Sequence, residues 1–243
     1  MAKRKAKSGS SSGGLLGGVI SALRWVVLTV LALVVLSILW VGSYRFIDPP
    51  TTYLIATTRA SGTPVYRIPV PIEAISPTLW QTAIASEDQN FCTHSGFDTE
   101  AIDKAIEHNK RSKRIRGAST ISQQAAKNVF LWPGRNIVRK GLEAYFTVLI
   151  ETLWTKRRIM EVYLNVIEFG RGVFGAEAAS EHFFHIPARS LTPRQAALLI
   201  AVLPNPHRMH AERPSNYVAS RADVLVGRGY AMRRDGMDVC VRR

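Results

Sequence analysis

SPTLWQTAIASEDQNFCTHSGFD, Ser76–Asp98, decides how the rest of the chain is read. Ser76 is an N-cap residue type, and Pro77 follows at the first helical position. There its fixed φ and missing N–H cost nothing. The spacing predicts a helix through the apolar run to Glu87 and Asp88. Two acids at a helix C-terminus face the negative end of the macrodipole, so a merely solvated helix end is a poor account of them. A metal site built from Glu87, Asp88 and His94 would need a second cluster at ligand spacing, and the sequence has none. The third reading is acid–base chemistry by a carboxylate in a partly apolar setting, where desolvation favours the protonated form. The apolar run ahead of the acids is the expected wall of that setting.

Downstream the pattern stays helical. Asp98 or Thr99 caps EAIDKAIEHNK. STISQQAAKNVFL, NIVRKGLEAYFTVLIETLW and KRRIMEVYLNVIEF follow, then the glycine-punctuated turn GRGVFG and AEAASEHFF. Thr192 and Gln195 form a capping-box pattern with Pro193 at N1, and Pro204 and Pro206 end that helix. The C-terminal part, from Ser220, is expected to hold one amphipathic helix and then fray. Upstream, Asp48–Ser76 is rich in Pro, Thr and β-branched residues, and reads as an extended linker with at most one weak hairpin. The fold class is therefore mainly α.

Gly117–Asn128 is dense in neutral polar groups where a buried helix would be apolar. Ser119 or Thr120 is accounted for as a cap. Gln124 and Asn128, with Lys127 on the same face, suit a hydroxyl- and amide-rich ligand such as a sugar. Arg135, Arg139 and Lys140 precede Glu143. Arg139 and Glu143 are spaced i,i+4, so a helix-surface ion pair is one reading. A phosphate clamp is the other, because arginine forks match phosphate oxygens and lysine adds point charge. Three cations beside the Gln/Lys/Asn face favour the clamp. Glu151 reads as structural. The basic run His108–Gly117 is a solvated face or loop, with anionic headgroups as the other option.

The chain has 243 residues, 32 Lys and Arg against 18 Asp and Glu, and a net charge of +14, which points to an anionic partner without choosing one. It has two cysteines, with no zinc-type spacing. Nothing in their placement supports a Cys92–Cys240 disulfide, and Cys92, beside Phe91, is expected to answer to a thiol reagent if it lies in the cleft. Trp25–Val41 is uncharged and as a helix spans roughly 25 Å. With residues before it, this reaches the roughly 20 residues needed to cross a bilayer. Lys3, Arg4, Lys5, Lys7 and Arg24 on one side, against Arg45 and Arg59 on the other, put the N-terminus inside. A cleaved signal peptide would end in small residues; LWVGSYRF follows instead. The expected organisation is a basic, Gly/Ser-rich leader over 1–18, a membrane anchor over 19–42, the linker over 43–75 and a catalytic domain over 76–243. No nucleophile elbow, P-loop, His-Glu-x-x-His, Ser-x-x-Lys or Lys-Thr-Gly is present, which excludes a transpeptidase module.

Taken in order, EDQNFCTHSG, GASTISQQAAKNVFL, RKGLEAYFTVLIE, KRRIMEVYLNVIEFG, GVFGAEAASEHFF and LTPRQAALLIAVLPNP resemble the motifs of the peptidoglycan glycosyltransferases of family 51, and of its stand-alone, monofunctional branch. The resemblance implies a lysozyme-like, mainly helical domain with a large lobe and a small membrane-facing jaw. It implies inverting polymerisation of lipid II into glycan strands, with release of undecaprenyl pyrophosphate outside the plasma membrane. Glu87 matches the base, and Glu143 the second carboxylate on the pyrophosphate side. Lys127, Arg135, Arg139, Lys140, Gln124 and Asn128 match the donor wall, with Ser119 and Thr120 at its edge. Asp88, Phe91 and His94 match the surroundings of the base. The implied partners are lipid II, the nascent strand, the membrane and other wall-synthesis proteins, with no nucleic acid. A divalent cation, Mg or Mn, at the pyrophosphate is compatible with the family. The rivals are a peptidoglycan-cleaving, lysozyme-like enzyme and a non-catalytic wall scaffold.

Overall fold

The computed structural model describes residues 12–112, 117–134 and 136–242. The basic N-terminal residues, Lys113–Arg116 of the basic run and Arg135 lie outside the described residues.

The chain begins with a long apolar helix, α1 (Ser12–Ser43), in which Gly17–Ser43 is long and apolar enough to cross a membrane. It is exposed along most of its length and buried only at its end, where Val41 enters the core. That end docks on α6 (Ile137–Leu153). The Trp154 indole N–H donates to the Val41 carbonyl at 2.8 Å, and Arg45 Nη1 to the Leu153 carbonyl at 3.0 Å. Ser37 donates its one proton to the Val34 carbonyl at 2.7 Å, so in the 2.6 Å contact of Ser37 Oγ with Tyr145 Oη the tyrosine is the donor. Trp40 stands edge-on to Phe130 at 5.1 Å, and Phe130 stacks on Phe146 at 4.7 Å. This apolar helix is thus fixed to the domain by packing and capped carbonyls.

Residues 43–75 are not a plain extended linker. They contain α2 (Tyr53–Ala60), β1 (Tyr66–Arg67) and a 3₁₀ turn at Ile72–Ala74. The Thr52 hydroxyl caps α2 by accepting the Ile55 N–H, and Ile55, Ile72 and Ile75 are buried. Threonine-rich sequence has weak helix propensity, and tertiary burial of one face overrides it. The expected local hairpin is replaced by long-range pairing. β1 runs parallel to β3 (Val173–Phe174), which is antiparallel to β2 (Glu168–Gly170), in the order β1-β3-β2. The buried Asn165 ties this segment down, accepting from the Val70 N–H at 3.1 Å and donating to the Val70 carbonyl at 2.8 Å. The turn between β2 and β3 passes so close that a Cβ on Gly172, at φ 77°, would meet the Pro64 carbonyl at 2.2 Å.

Two helical layers build the core. In one, α3 (Pro77–Glu87) lies against α9 (Pro193–Ala201) and α10 (Asn216–Arg234). In the other, α5 (Ile121–Phe130) lies against α6 and α7 (Lys156–Val166). Helix starts follow local chemistry: Asp98 caps α4 (Thr99–Arg111), and Thr120 and Thr192 head full capping boxes with Gln123 and Gln195. Ser76 heads α3 without a side-chain cap; its hydroxyl contacts Thr78 Oγ1 and the Leu191 carbonyl instead. Between β3 and α9 lies α8 (Ala176–Phe184).

The C-terminus does not fray. After α10 the chain turns back into α11 (Val239–Arg242), and Asp238, fully buried, accepts from the Gln81 amide at 2.8 Å. Cys240 is disulfide-bonded to Cys92, with Cα atoms 5.5 Å apart across 148 residues of sequence. The reading of Cys92 as a reactive thiol is therefore wrong. A spacing of that length carries no signal in the sequence, and it becomes bondable only once α11 packs on α7.

Candidate active site

Glu87 is the last residue of α3 and Asp88 is its C-cap. The two acids part company at once. Asp88 is buried, accepts the Ile121 N–H at 2.8 Å, and meets His94 Nε2 at 2.9 and 3.0 Å. His94 Nδ1 accepts the Gly96 N–H at 3.0 Å, so the network assigns the imidazole proton to Nε2, facing Asp88. Asp88 thereby joins the end of α3 to the positive N-terminus of α5. Gly96 closes the loop at φ 93°, where a Cβ would lie 2.8 Å from the Thr147 methyl on α6. Its carbonyl accepts the Thr120 hydroxyl at 2.7 Å.

The Glu87 carboxylate is half-buried and held by neutral donors. Ser86 Oγ donates to Oε1 at 2.9 Å and Gln124 Nε2 to Oε2 at 3.3 Å. It opens into a polar cavity of about 250 Å³ shared with Asn90, Asp98, Lys104, Ser119 and Arg228. The expected apolar wall is not there. Leu79, Ala83 and Ile84 turn inward to the core, because the helix sends its apolar face away from the end on which the acid sits.

A second, larger cavity of about 580 Å³ is lined by Gln124, Lys127, Asn128, Arg139, Lys140 and Glu143, with Trp132 beside them. Ser119 lines both cavities, and Gln124 lines the larger one while bonding Glu87. Glu143 is buried and paired with two cations: Arg139 Nη1 at 2.7 Å, and Lys140 Nζ in close contact. The i,i+4 ion pair is therefore present, and so is the cluster of cations around a cavity. Arg139 is as buried as its partner, whereas half of the Lys140 side chain is exposed. Burial pushes the Lys127 ammonium below its ordinary 10.5; Arg139 and Lys140 push it the same way, and Glu143 opposes them. The cavity is thus short of negative charge.

Two further residues matched to the site are, like Asp88 and His94, engaged within the fold. Phe91 is fully buried, under the Lys156 ammonium at 4.7 Å from its ring. Thr120 is buried as the α5 cap. Glu151 is structural, as expected, taking Ser122 Oγ and, at 2.7 Å, Lys156 Nζ. Among the described residues no three His, Cys, Asp or Glu side chains converge on a cation position, and both Glu143 oxygens are already engaged. The residues do not fit a protein-held divalent cation.

Sequence reading missed three residues here. Tyr163 on α7 is fully buried, with its hydroxyl a long 3.5 Å from Gln124 Oε1. Burial, then the nearby Glu87 and Asp88, raises its phenol well above the ordinary range. Its polar tip inside an otherwise apolar helix face was the available signal. Ser86 was hidden only by its neighbours' charges. Arg221, whose Nη2 donates to Ser86 Oγ at 3.1 Å, had no signal at all.

A family model described as Transglycosylase matches residues 54–229. Three curated relatives carry the name biosynthetic peptidoglycan transglycosylase. That of Caulobacter vibrioides is 52% identical over 82% of this chain and 86% of its own. That of Rhodospirillum centenum is 52% identical over 82% and 87%. That of Bdellovibrio bacteriovorus is 50% identical over 84% of both. With most of its length matched, motifs and cavities included, this chain belongs to the transglycosylase family.

Proposed function

We propose that this protein polymerises lipid II into peptidoglycan glycan strands. The observation that carries this reading is the pairing of Glu87, a carboxylate held by a hydroxyl and an amide and in no ion pair among the described residues, with an adjoining cavity ringed by Lys127, Arg139 and Lys140. A sugar hydroxyl attacking an anomeric carbon needs a base for its proton and charge stabilisation for its leaving group. Glu87 takes the proton of the acceptor's 4-hydroxyl as its oxygen bonds to the donor's anomeric carbon. The bond from that carbon to the pyrophosphate oxygen breaks, and the departing oxygen keeps the electron pair. The cations stabilise that charge as preorganised electrostatics, and displacement from the opposite face inverts the centre. Glu143 acts by holding Arg139 and Lys140 in place. Asp88 and His94 fix the loop that carries Glu87. Gln124, Asn128 and Ser119 offer hydrogen bonds to sugar hydroxyls and amides.

The apolar α1 supports membrane anchoring, which confines the enzyme to the plane of its lipid-linked substrate. The basic residues before it favour a cytoplasmic N-terminus, with the domain on the outer face of the plasma membrane. The Cys92–Cys240 disulfide agrees with that side, because such bonds persist in oxidising compartments.

The test is incubation of the full-length protein in detergent or vesicles with labelled lipid II. Long glycan and released undecaprenyl pyrophosphate are expected. Cleavage of finished sacculi without polymer would instead favour a lytic enzyme, and neither activity would favour a scaffold.

A further inference from the structure

We propose that Ser86 and Arg221 are positioning residues for the Glu87 carboxylate, through a relay that reaches it from α10. This rests on the reading of Glu87 as the base. Arg221 Nη2 donates to Ser86 Oγ at 3.1 Å, and Ser86 Oγ passes its own proton to Glu87 Oε1 at 2.9 Å. On the other side, Gln124 donates to Oε2 at 3.3 Å. The carboxylate is thereby gripped at both oxygens. Ser86 has one proton to give; with a guanidinium donating to its oxygen, that proton is committed to Glu87.

Packing makes the relay rigid. α10 lies along α3 closely enough that a Cβ on Gly229 would meet Thr82 Oγ1 at 2.9 Å, and Ala222 and Leu225 bury the adjoining face. This sets Arg221 against the C-terminal end of α3, where a cation also suits the helix dipole. Arg221 Nε is buried without a hydrogen-bond partner, a feature that packing alone does not reward. Among the described residues, the groups facing Glu87 are Asp88 at the end of α3, Asp98 and Lys104 from the α4 side, Arg228 on α10, and Tyr163 on α7. Asp88 is engaged by His94 and the Ile121 N–H. Beside the cations of this set, Arg221 is linked to the Glu87 carboxylate through a hydrogen bond chain.

The relay fixes the direction of the carboxylate. Removing it leaves the substrate cavities intact but lets the base turn away from the acceptor. The experiment compares Ser86→Ala, Ser86→Thr, Arg221→Met and Glu87→Gln in the full-length protein, reading kcat and KM with lipid II. Ser86→Ala and Arg221→Met are expected to lower kcat about tenfold, with KM little changed. Ser86→Thr, which keeps the hydroxyl, restores kcat. In a Glu87→Gln background Ser86→Ala should add no further loss. If Glu87→Gln is inactive but Ser86→Ala keeps wild-type kcat, the relay is overturned and the base assignment stands. If Glu87→Gln still polymerises, the base assignment falls and the relay with it. Should Arg221→Met fail to fold, Ser86→Ala and its threonine rescue decide alone.

Discussion

Two glutamates face the two cavities, and they are held in opposite ways. Glu87 accepts from a hydroxyl and an amide and opens into a polar cavity. Glu143 is buried and clamped by a guanidinium and an ammonium. On the proposed reading, Glu87, bound by neutral donors, is placed for proton transfer, and Glu143, closed by two cations, for holding them; the same residue type at the end of α3 and on α6 takes its role from its partners.

The sharpest way to break this comparison is to neutralise each acid in turn. Glu87→Gln is expected to cut polymerisation by about 10³-fold, within the range for loss of a general base, with an unchanged thermal midpoint. Glu143→Gln leaves Arg139 buried and uncompensated. It is expected to cost about 3–5 kcal/mol and lower the midpoint by roughly 10 °C. Calorimetry beside the lipid II assay checks both, and similar stability losses for the two variants would end the distinction. Next, Lys140→Ala is expected to reduce turnover about 100-fold at near-constant stability, because half of that side chain is exposed at the cavity. Arg139→Ala should show chiefly as destabilisation. Equal, small effects on turnover would reduce the cluster to ion pairs.

The smallest effect concerns Lys127. Burial lowers its ammonium below 10.5, so between the lowered value and 10.5 the folded protein binds fewer protons than the unfolded chain. The contribution of this group to stability therefore rises with pH across that window. Turnover should do the reverse, since a neutral lysine no longer attracts phosphate. The alkaline limb of the pH–rate profile is expected below 10.5, and Lys127→Arg should move it upward. An unmoved limb would detach Lys127 from the leaving group.

The legible parts of this protein were local ones. Hydropathy marked α1, and its docking residues were invisible because Trp154, Tyr145 and Phe130 lie a hundred residues away. Thr192, Pro193 and Gln195 announced the start of α9, and Asp98 that of α4, since a cap is a contact across three residues. The ordered motifs located Glu87, Gln124, Lys127, Lys140 and Glu143, and the fold gathers them around two adjoining cavities. The same stretches misled where a side chain's direction mattered. Phe91 sits inside the first motif yet points into the core, and the apolar run before Glu87 covers the core rather than the acid; Thr120 is the cap that its place in the sequence allowed.

By itself, then, the sequence determined the helical class, a segment long and apolar enough to cross a membrane, the cap residues and the set of charged groups available for chemistry. These depend on propensities and contacts within a turn or two. Only the tertiary structure decided that residues 43–75 build α2 and an edge strand, that Cys92 meets Cys240, and that Arg221 reaches Ser86. Each of those outcomes depends on partners far apart in the chain or on which way a side chain is turned. The free energy that selects them comes from burial and pairing that exist only once the helices are packed.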